Sequence, residues 1–270
     1  FKSTQFGDDS DRVIARANGE TTYFASDIAY HLNKFKRGFQ KQIDVWGADH
    51  GGYVKRIKSA LGAVTNNQAD LDVVLCQIVN LEKDGKPFKM SKRAGNFVMI
   101  EDVLGEIDAD VLRLFMVIKS PDTQMTFDLQ KAKEQSKDNP VYYMQYAYAR
   151  ACSVLKKYDT LFPDSLDKLS QQQYDFASAT DIERGLIRML GDYPTIIESA
   201  CKNKSPNLLT KYLEDVAATF HSLWSSHTGV KLINEDDKRA TDNHMLMVIA
   251  LKNVIANGLK TLGCTLKESM

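Results

Sequence analysis

Residues 43–64 hold the pattern that most narrows the fold. Ile43-Asp44-Val45-Trp46 reads as a short apolar strand. Gly47-Ala48-Asp49-His50-Gly51-Gly52-Tyr53 is a turn of mostly small residues, and a helical stretch continues to about Val64. Leu71 to Leu81 is then rich in Val, Leu and Ile, as expected of a buried strand of the parallel type. Open α/β sheets present ligands at the C-terminal ends of their strands, which makes the turn after Trp46 a candidate site. Small residues there let backbone N–H groups approach a ligand, and Asp49 can accept from ribose hydroxyls. Taken alone, Gly47, Gly51 and Gly52 also read as a plain tight turn, and His50 as a satisfied buried imidazole.

Upstream, residues 12–24 alternate weakly around Asn18-Gly19, a hairpin signal between two β-prone runs. Ser26 or Asp27 can cap a helix running to about Lys36. Tyr23 and Asp27 are four apart, so on the first helical turn they share a face and can converge on one small ligand. The plainer alternative makes Asp27 only a cap and Tyr23 a core residue.

Downstream, Glu82 to Pro87 forms a turn. It leads into Phe88-Lys89-Met90-Ser91-Lys92-Arg93-Ala94-Gly95-Asn96, with three cations in five residues. A lysine is a point charge with three donors on a flexible stem, suited to closing over polyphosphate. An isolated basic cluster of this kind is more often a solvated tip. Ile100 to Ile107 and Asp110 to Ser120 read as helices, the second with Arg113 on a broad apolar face. Strands alternating with helices up to about residue 85 imply part of a doubly wound sheet. Two or three strands are too few for a whole nucleotide-binding sheet, and the chain begins with Phe1. It is therefore expected to start inside a longer protein.

From about Asp128 no strand is predicted. Asp138-Asn139-Pro140 reads as a cap with proline at the first helical position, opening a helix over Val141 to Tyr158. Pro163 breaks the pattern, and Asp181 can cap a helix to about Leu190. Ser205-Pro206 starts another, to about His227, with Leu209, Leu213, Val216, Ala217, Phe220 and Trp224 at helical spacing. The last helix runs from about Arg239 to Leu262 and stops at Gly263. This half is expected to be a bundle of four or more helices. Tyr143, Tyr146 and Arg150 lie at i, i+3 and i+7 on one stripe. Unpaired bases stack on such surfaces, although an aromatic stripe at helical spacing is more often core.

Composition excludes more than it selects. Lys+Arg and Asp+Glu each number 35, so bulk charge argues for no nucleic-acid partner and any such contact needs a local surface. Cys76, Cys152, Cys201 and Cys264 are widely separated. They offer neither metal-ligand spacing nor a disulfide framework, which points to a reducing compartment. No long uncharged apolar run or signal peptide is present, so a cytoplasmic, membrane-free protein without a structural metal is expected.

Taken in order, the motifs form a constellation. Thr22 to His31 (TYFASDIAYH), Val45 to His50 (VWGADH) and Lys89 to Phe97 (KMSKRAGNF) come first. Asp110-Val111-Leu112-Arg113 and Asp138 to Arg150 (DNPVYYMQYAYAR) come after them. This constellation resembles the arginyl-tRNA synthetases, of class I, across the whole chain. The family's K-M-S-K-S loop stands here as K-M-S-K-R, and Asp110 to Arg113 is similar to the D-A-L-R element with Val for Ala. The resemblance implies a partial Rossmann-like catalytic segment over residues 1–127, carrying the lysine loop. It also implies an all-α helical-bundle anticodon-binding domain of the DALR type over residues 128–270.

The same resemblance implies ATP-dependent ligation of arginine to tRNA(Arg) through an arginyl-adenylate, with Mg2+ accompanying ATP and the protein acting as a monomer. It makes Lys89 and Lys92 catalytic, with Gly47, Asp49, His50, Met90 and Ser91 at ATP, the first three lining the adenosine or the arginine pocket. Tyr23 and Asp27 would hold the arginine side chain, and Tyr143, Tyr146, Arg150 and Met270 would meet the anticodon loop. The family's H-I-G-H motif is absent from these 270 residues, so the chain alone is expected to be inactive. Two rivals are a cysteinyl-tRNA synthetase-like enzyme, which needs a zinc site that the scattered cysteines do not supply, and a tRNA-binding module without catalysis.

Overall fold

The computed structural model describes residues 1–83, 85–87, 98–134, 139–169, 171–223 and 231–270. They divide into two compact units, Phe1–Val79 with Pro121–Met125, and Asn80–Ser120 with Thr126–Met270.

In the first unit the Asn18-Gly19 turn closes a short reversal. Gly19 has φ 85°, the amide of Arg16 donates to the carbonyl of Glu20 at 2.8 Å, and a single antiparallel bridge joins Ala15 to Thr21. Helix α1 (Tyr23–Lys36) begins earlier than Ser26 or Asp27 would have it, because Thr22 is the extended N-cap residue. The Thr22 hydroxyl does not cap the helix; it donates instead to the Val13 carbonyl at 3.0 Å. Strand β1 (Lys41–Gly47) leads through a 3-10 turn (Ala48–Tyr53) into α2 (Val54–Thr65), and β2 (Asp70–Cys76) returns parallel to β1. The register runs from Lys41 opposite Asp70 to Gly47 opposite Cys76.

Strand alternation divides β1 between two environments. Gln42, Asp44 and Trp46 are buried or partly so, whereas Ile43 and Val45 are exposed, Val45 at 67%. The core of this unit is Phe24, Ile57, Ala60, Leu61 and Leu71, with Ile28, Trp46, Tyr53 and Val73 packed against it.

The apolar run Leu71 to Leu81 is not one strand. It breaks at Gln77 and Ile78, where the Gln77 amide leaves the ladder to donate to the Pro121 carbonyl at 2.7 Å. Beyond the break, β3 (Val79–Lys83) pairs antiparallel with β4 (Lys86–Pro87) across Gly85. The same sheet places β3 between β4 and β5 (Met125–Asp128), a strand that the sequence pattern does not mark.

Helices α3 (Ile100–Leu104) and α4 (Ala109–Val117) lie where the apolar spacing expects them. Asp128 then caps α5 (Leu129–Lys133) through the amides of Gln130 and Lys131. Helix α6 (Pro140–Leu161) opens on Asn139, whose Oδ1 accepts from the Val141 amide while its Nδ2 donates to the Ala132 and Glu134 carbonyls. Asp138 lies outside the described residues.

A short α7 (Ser165–Leu169) precedes α8 (Asp181–Gly191), whose cap is Thr180, in a reciprocal pair with Glu183, so that Asp181 is already helical. The sequence pattern gives helix α9 (Tyr193–Asn203) no counterpart, although Tyr193, Ile196, Ile197, Ala200 and Cys201 stand at helical spacing; none of its residues is fully buried. Helices α10 (Asn207–Leu223) and α11 (Lys238–Thr261) close the bundle; Trp224 and His227 fall outside the described residues. Met144, Ala147, Ala151 and Tyr158 of α6 are buried, as are Leu213, Val216, Ala217 and Phe220 of α10 and Val248, Leu251 and Ile255 of α11.

The Asp110–Arg113 element has a clear structural role. Asp110 is only 6% exposed. It accepts from the Thr265 amide at 2.9 Å and from the Thr265 hydroxyl. Asp108 pairs with Lys267 at 3.1 Å. Gly263, at φ 75°, lies so close to the Arg113 side chain that a Cβ there would meet three of its atoms at 3.3 Å. The element thus clasps the C-terminal tail against α4. Asp110→Ala removes the buried carboxylate that accepts from the Thr265 amide and hydroxyl and should cost about 1–3 kcal/mol. Hydrogen exchange of residues 264–270 should accelerate while α6 and α10 keep their protection; uniform acceleration throughout the bundle would instead make Asp110 a general core residue.

Candidate functional site

The first unit gathers a carboxylate and several rings at the C-terminal end of β1. Asp27, on α1, is partly buried, and its Oδ2 accepts from the Tyr53 hydroxyl at 2.7 Å. Tyr53 ends the 3-10 turn that β1 feeds. Its ring meets Phe24 edge-on at 5.9 Å and Trp46 at 5.8 Å, and the Arg56 guanidinium lies 5.1 Å from its centroid. Burial first, and the Asp27 carboxylate second, push the Tyr53 hydroxyl above the ordinary tyrosine range, so it remains a donor.

Asp27 is anchored at its backbone as well. Its carbonyl is 2.7 Å from Nδ1 of His31, whose Nε2 is 2.8 Å from Asp44 of β1. Lys34 donates to the other Asp44 oxygen at 2.9 Å. Burial works against the charge on Asp44, but hydrogen bonds from Lys34 and His31 outweigh it and hold the carboxyl below its ordinary value. Helix α1 is thereby tied to the strand that presents the turn.

The remaining expected residues surround this centre. Tyr23 is 93% exposed at the start of α1, one turn before Asp27. Asp49, its side chain largely exposed, folds back over Gly47, with its Oδ1 2.6 Å from where a Cβ would stand. His50 is exposed rather than buried; it lies 3.7 Å from Asp49 and its ring is 6.3 Å from that of Trp46. Lys89, Met90, Ser91 and Lys92 lie outside the described residues. Among the described residues no group of three or more His, Cys, Asp or Glu could hold a metal ion, and no helix is long and apolar enough to cross a membrane.

In the second unit Tyr143, Tyr146 and Arg150 do share a stripe of α6, and α10 adds a member that spacing alone does not reveal. The His221 ring lies 4.6 Å from that of Tyr143 and stacks on that of Tyr146 at 5.3 Å. Its Nδ1 faces an Arg150 nitrogen at 3.3 Å, and its Nε2 faces the Tyr143 carbonyl at 3.3 Å. A guanidinium only donates and a carbonyl only accepts, so these partners select the neutral imidazole with its proton on Nε2. Burial, chiefly, depresses the His221 pKa; the Tyr143 carbonyl opposes this and the Arg150 charge adds to it.

The Arg150 guanidinium covers the Tyr146 ring at 5.2 Å. Tyr146 keeps 44% of its surface exposed, leaving part of the stack open to a partner. Met270 is exposed at the end of the clasped tail. The only sequence cue to His221 is a polar ring within the apolar run of α10, and its neighbours on α6 are more than 70 residues away.

Comparison with known proteins matches two successive segments of the chain. Residues 21–128 match the family of class I tRNA synthetases (I, L, M and V), and residues 144–270 match the DALR anticodon binding domain. The chain is 44% identical to the arginine–tRNA ligase of Methylobacterium nodulans, over all of this chain and 47% of that protein. It is likewise 44% identical to that of Desulfosudis oleivorans, covering all of this chain and 48% of the relative. The chain therefore spans about half the length of the curated relatives it matches.

A Campylobacter jejuni structure assigned as an arginyl-tRNA synthetase superposes with a TM-score of 0.84 at 33% identity, over all of this chain and 57% of that one. The Thermus thermophilus arginyl-tRNA synthetase shares the fold, with a TM-score of 0.72 at 22% identity, over 95% of this chain and 50% of that one. Both matched segments point the same way: over its whole length the chain is similar to arginyl-tRNA synthetases, as a class I synthetase segment followed by a DALR-type anticodon-binding segment.

Proposed function

We propose that this chain supplies the lysine-loop half of the catalytic domain (residues 1–127) and the anticodon-binding domain (residues 128–270) of an arginine–tRNA ligase. The protein acts in the cytoplasm as a monomer. The arginine carboxylate attacks the α-phosphorus of ATP, pyrophosphate leaves, and arginyl-adenylate forms. A terminal ribose hydroxyl of tRNA(Arg) then attacks the arginyl carbonyl and AMP leaves. Mg2+ arrives with ATP as its counter-ion.

Asp27 carries this reading. A carboxylate backed by an aromatic wall, beside the C-terminal end of a parallel strand, is a receptor suited to a guanidinium. Tyr23 is proposed to lie along the arginine side chain. Gly47, Asp49 and His50 line the adenosine side, with Met90 and Ser91 of the loop. Lys89 and Lys92 neutralise the transferring phosphates. Tyr143, Tyr146, Arg150 and Met270 meet the anticodon loop.

The test uses the full-length protein. ATP–pyrophosphate exchange should respond to arginine and not to lysine or cysteine; exchange driven by another amino acid would overturn the assignment. Tyr146→Ala should raise the KM for tRNA by about 5- to 100-fold, the loss of one base stack, while leaving the KM values for ATP and arginine unchanged. An unaltered tRNA KM would move the anticodon surface elsewhere.

A further inference from the structure

We propose that Tyr53 is a positioning residue for arginine recognition, its hydroxyl setting the orientation of the Asp27 carboxylate. This rests on the reading of Asp27 as the guanidinium receptor. A free carboxylate on the first turns of a helix can rotate about its terminal torsion, which is broad and roughly two-fold. Here the Tyr53 hydroxyl donates to Oδ2 at 2.7 Å. That bond fixes the carboxylate plane and leaves Oδ1 without a hydrogen bond from any described residue.

The donor is itself held. Phe24 and Trp46 pack against the Tyr53 ring, and the Arg56 guanidinium lies over it. The Asp27 carbonyl is fixed separately through His31 to Asp44. Both ends of Asp27 are therefore determined by groups of the first unit, and the receptor is formed before arginine arrives. Preorganisation of this kind lowers the cost of binding rather than adding a contact to the ligand.

Tyr53→Phe tests this directly, because it removes one oxygen and keeps the ring among its neighbours. In the full-length protein, arginine-dependent pyrophosphate exchange should show a KM for arginine raised about 3- to 15-fold, the net value of one ordinary intramolecular hydrogen bond. The ATP KM and the rate at saturating arginine should be unchanged. In an Asp27→Ala background the same change should have no further effect on the arginine KM.

The outcomes separate the two levels. If Asp27→Ala raises the arginine KM and Tyr53→Phe does not, the positioning role is overturned and the pocket stands. An equal Tyr53→Phe effect with and without Asp27 would also overturn it, since the hydroxyl would then act independently. If Asp27→Ala leaves the arginine KM unchanged, the pocket reading itself fails.

Discussion

Lys92→Ala in the full-length protein should slow arginyl-adenylate formation by about 10²–10³-fold, the loss expected when one fixed donor to a developing charge is removed. Lys92 lies outside the described residues; the expectation rests on phosphoryl chemistry and on the sequence Lys89-Met90-Ser91-Lys92-Arg93. As the carboxylate attacks and pyrophosphate departs, charge redistributes over oxygens that the ground state leaves better solvated. An ammonium delivered at that moment stabilises the transition state more than bound ATP, so its removal lowers the rate more than any affinity. Arginine does not touch those phosphates, and its equilibrium dissociation constant should stay within about two-fold. Single-turnover adenylation and equilibrium arginine binding, measured on the same variant, separate the two quantities. Weakened arginine binding with an intact rate would place Lys92 in the amino-acid pocket.

The parallel pairing of β1 and β2 is legible in the sequence because the small-residue turn and the helix between the two apolar runs leave no room for a hairpin. The long α6 and α11 are legible from Asn139-Pro140 at one start and Gly263 at one end, since capping chemistry is local. The division of Leu71 to Leu81 is not, because an unbroken apolar run does not mark where a chain leaves its sheet. That point is set by Gln77, whose amide turns to Pro121, 44 residues away. The aromatic stripe of α6 is visible as spacing, yet its partner His221 depends on how α10 packs against α6. The same holds at the candidate pocket. Asp27 stands out as a carboxylate four residues after Tyr23, whereas Tyr53, 26 residues on, gains its role only once β1 and α2 bring it back to α1. Ile43 and Val45 mark the opposite limit. They read as buried strand residues, but within this chain their face is open, although parallel sheets ordinarily have both faces covered.

Asp27→Ala is expected to raise the arginine KM of the full-length protein by about 10- to 100-fold, the range for losing a charge-assisted hydrogen bond. A guanidinium is always protonated and only donates, so its receptor must accept, and Asp27 is the acceptor that α1 carries against the Tyr53 hydroxyl. Part of the measured loss will belong to the protein rather than the ligand, because the Tyr53 hydroxyl also loses its acceptor. Asp27→Asn distinguishes these contributions. Its amide oxygen can still accept from Tyr53, while the negative charge is gone and one acceptor is replaced by a donor facing the ligand. If pairing with the guanidinium dominates, Asn should be nearly as damaging as Ala to the arginine KM and should retain the thermal midpoint. If support of Tyr53 dominates, Asn should behave like the unmodified protein in both. An arginine KM unchanged in both variants would remove Asp27 from the pocket.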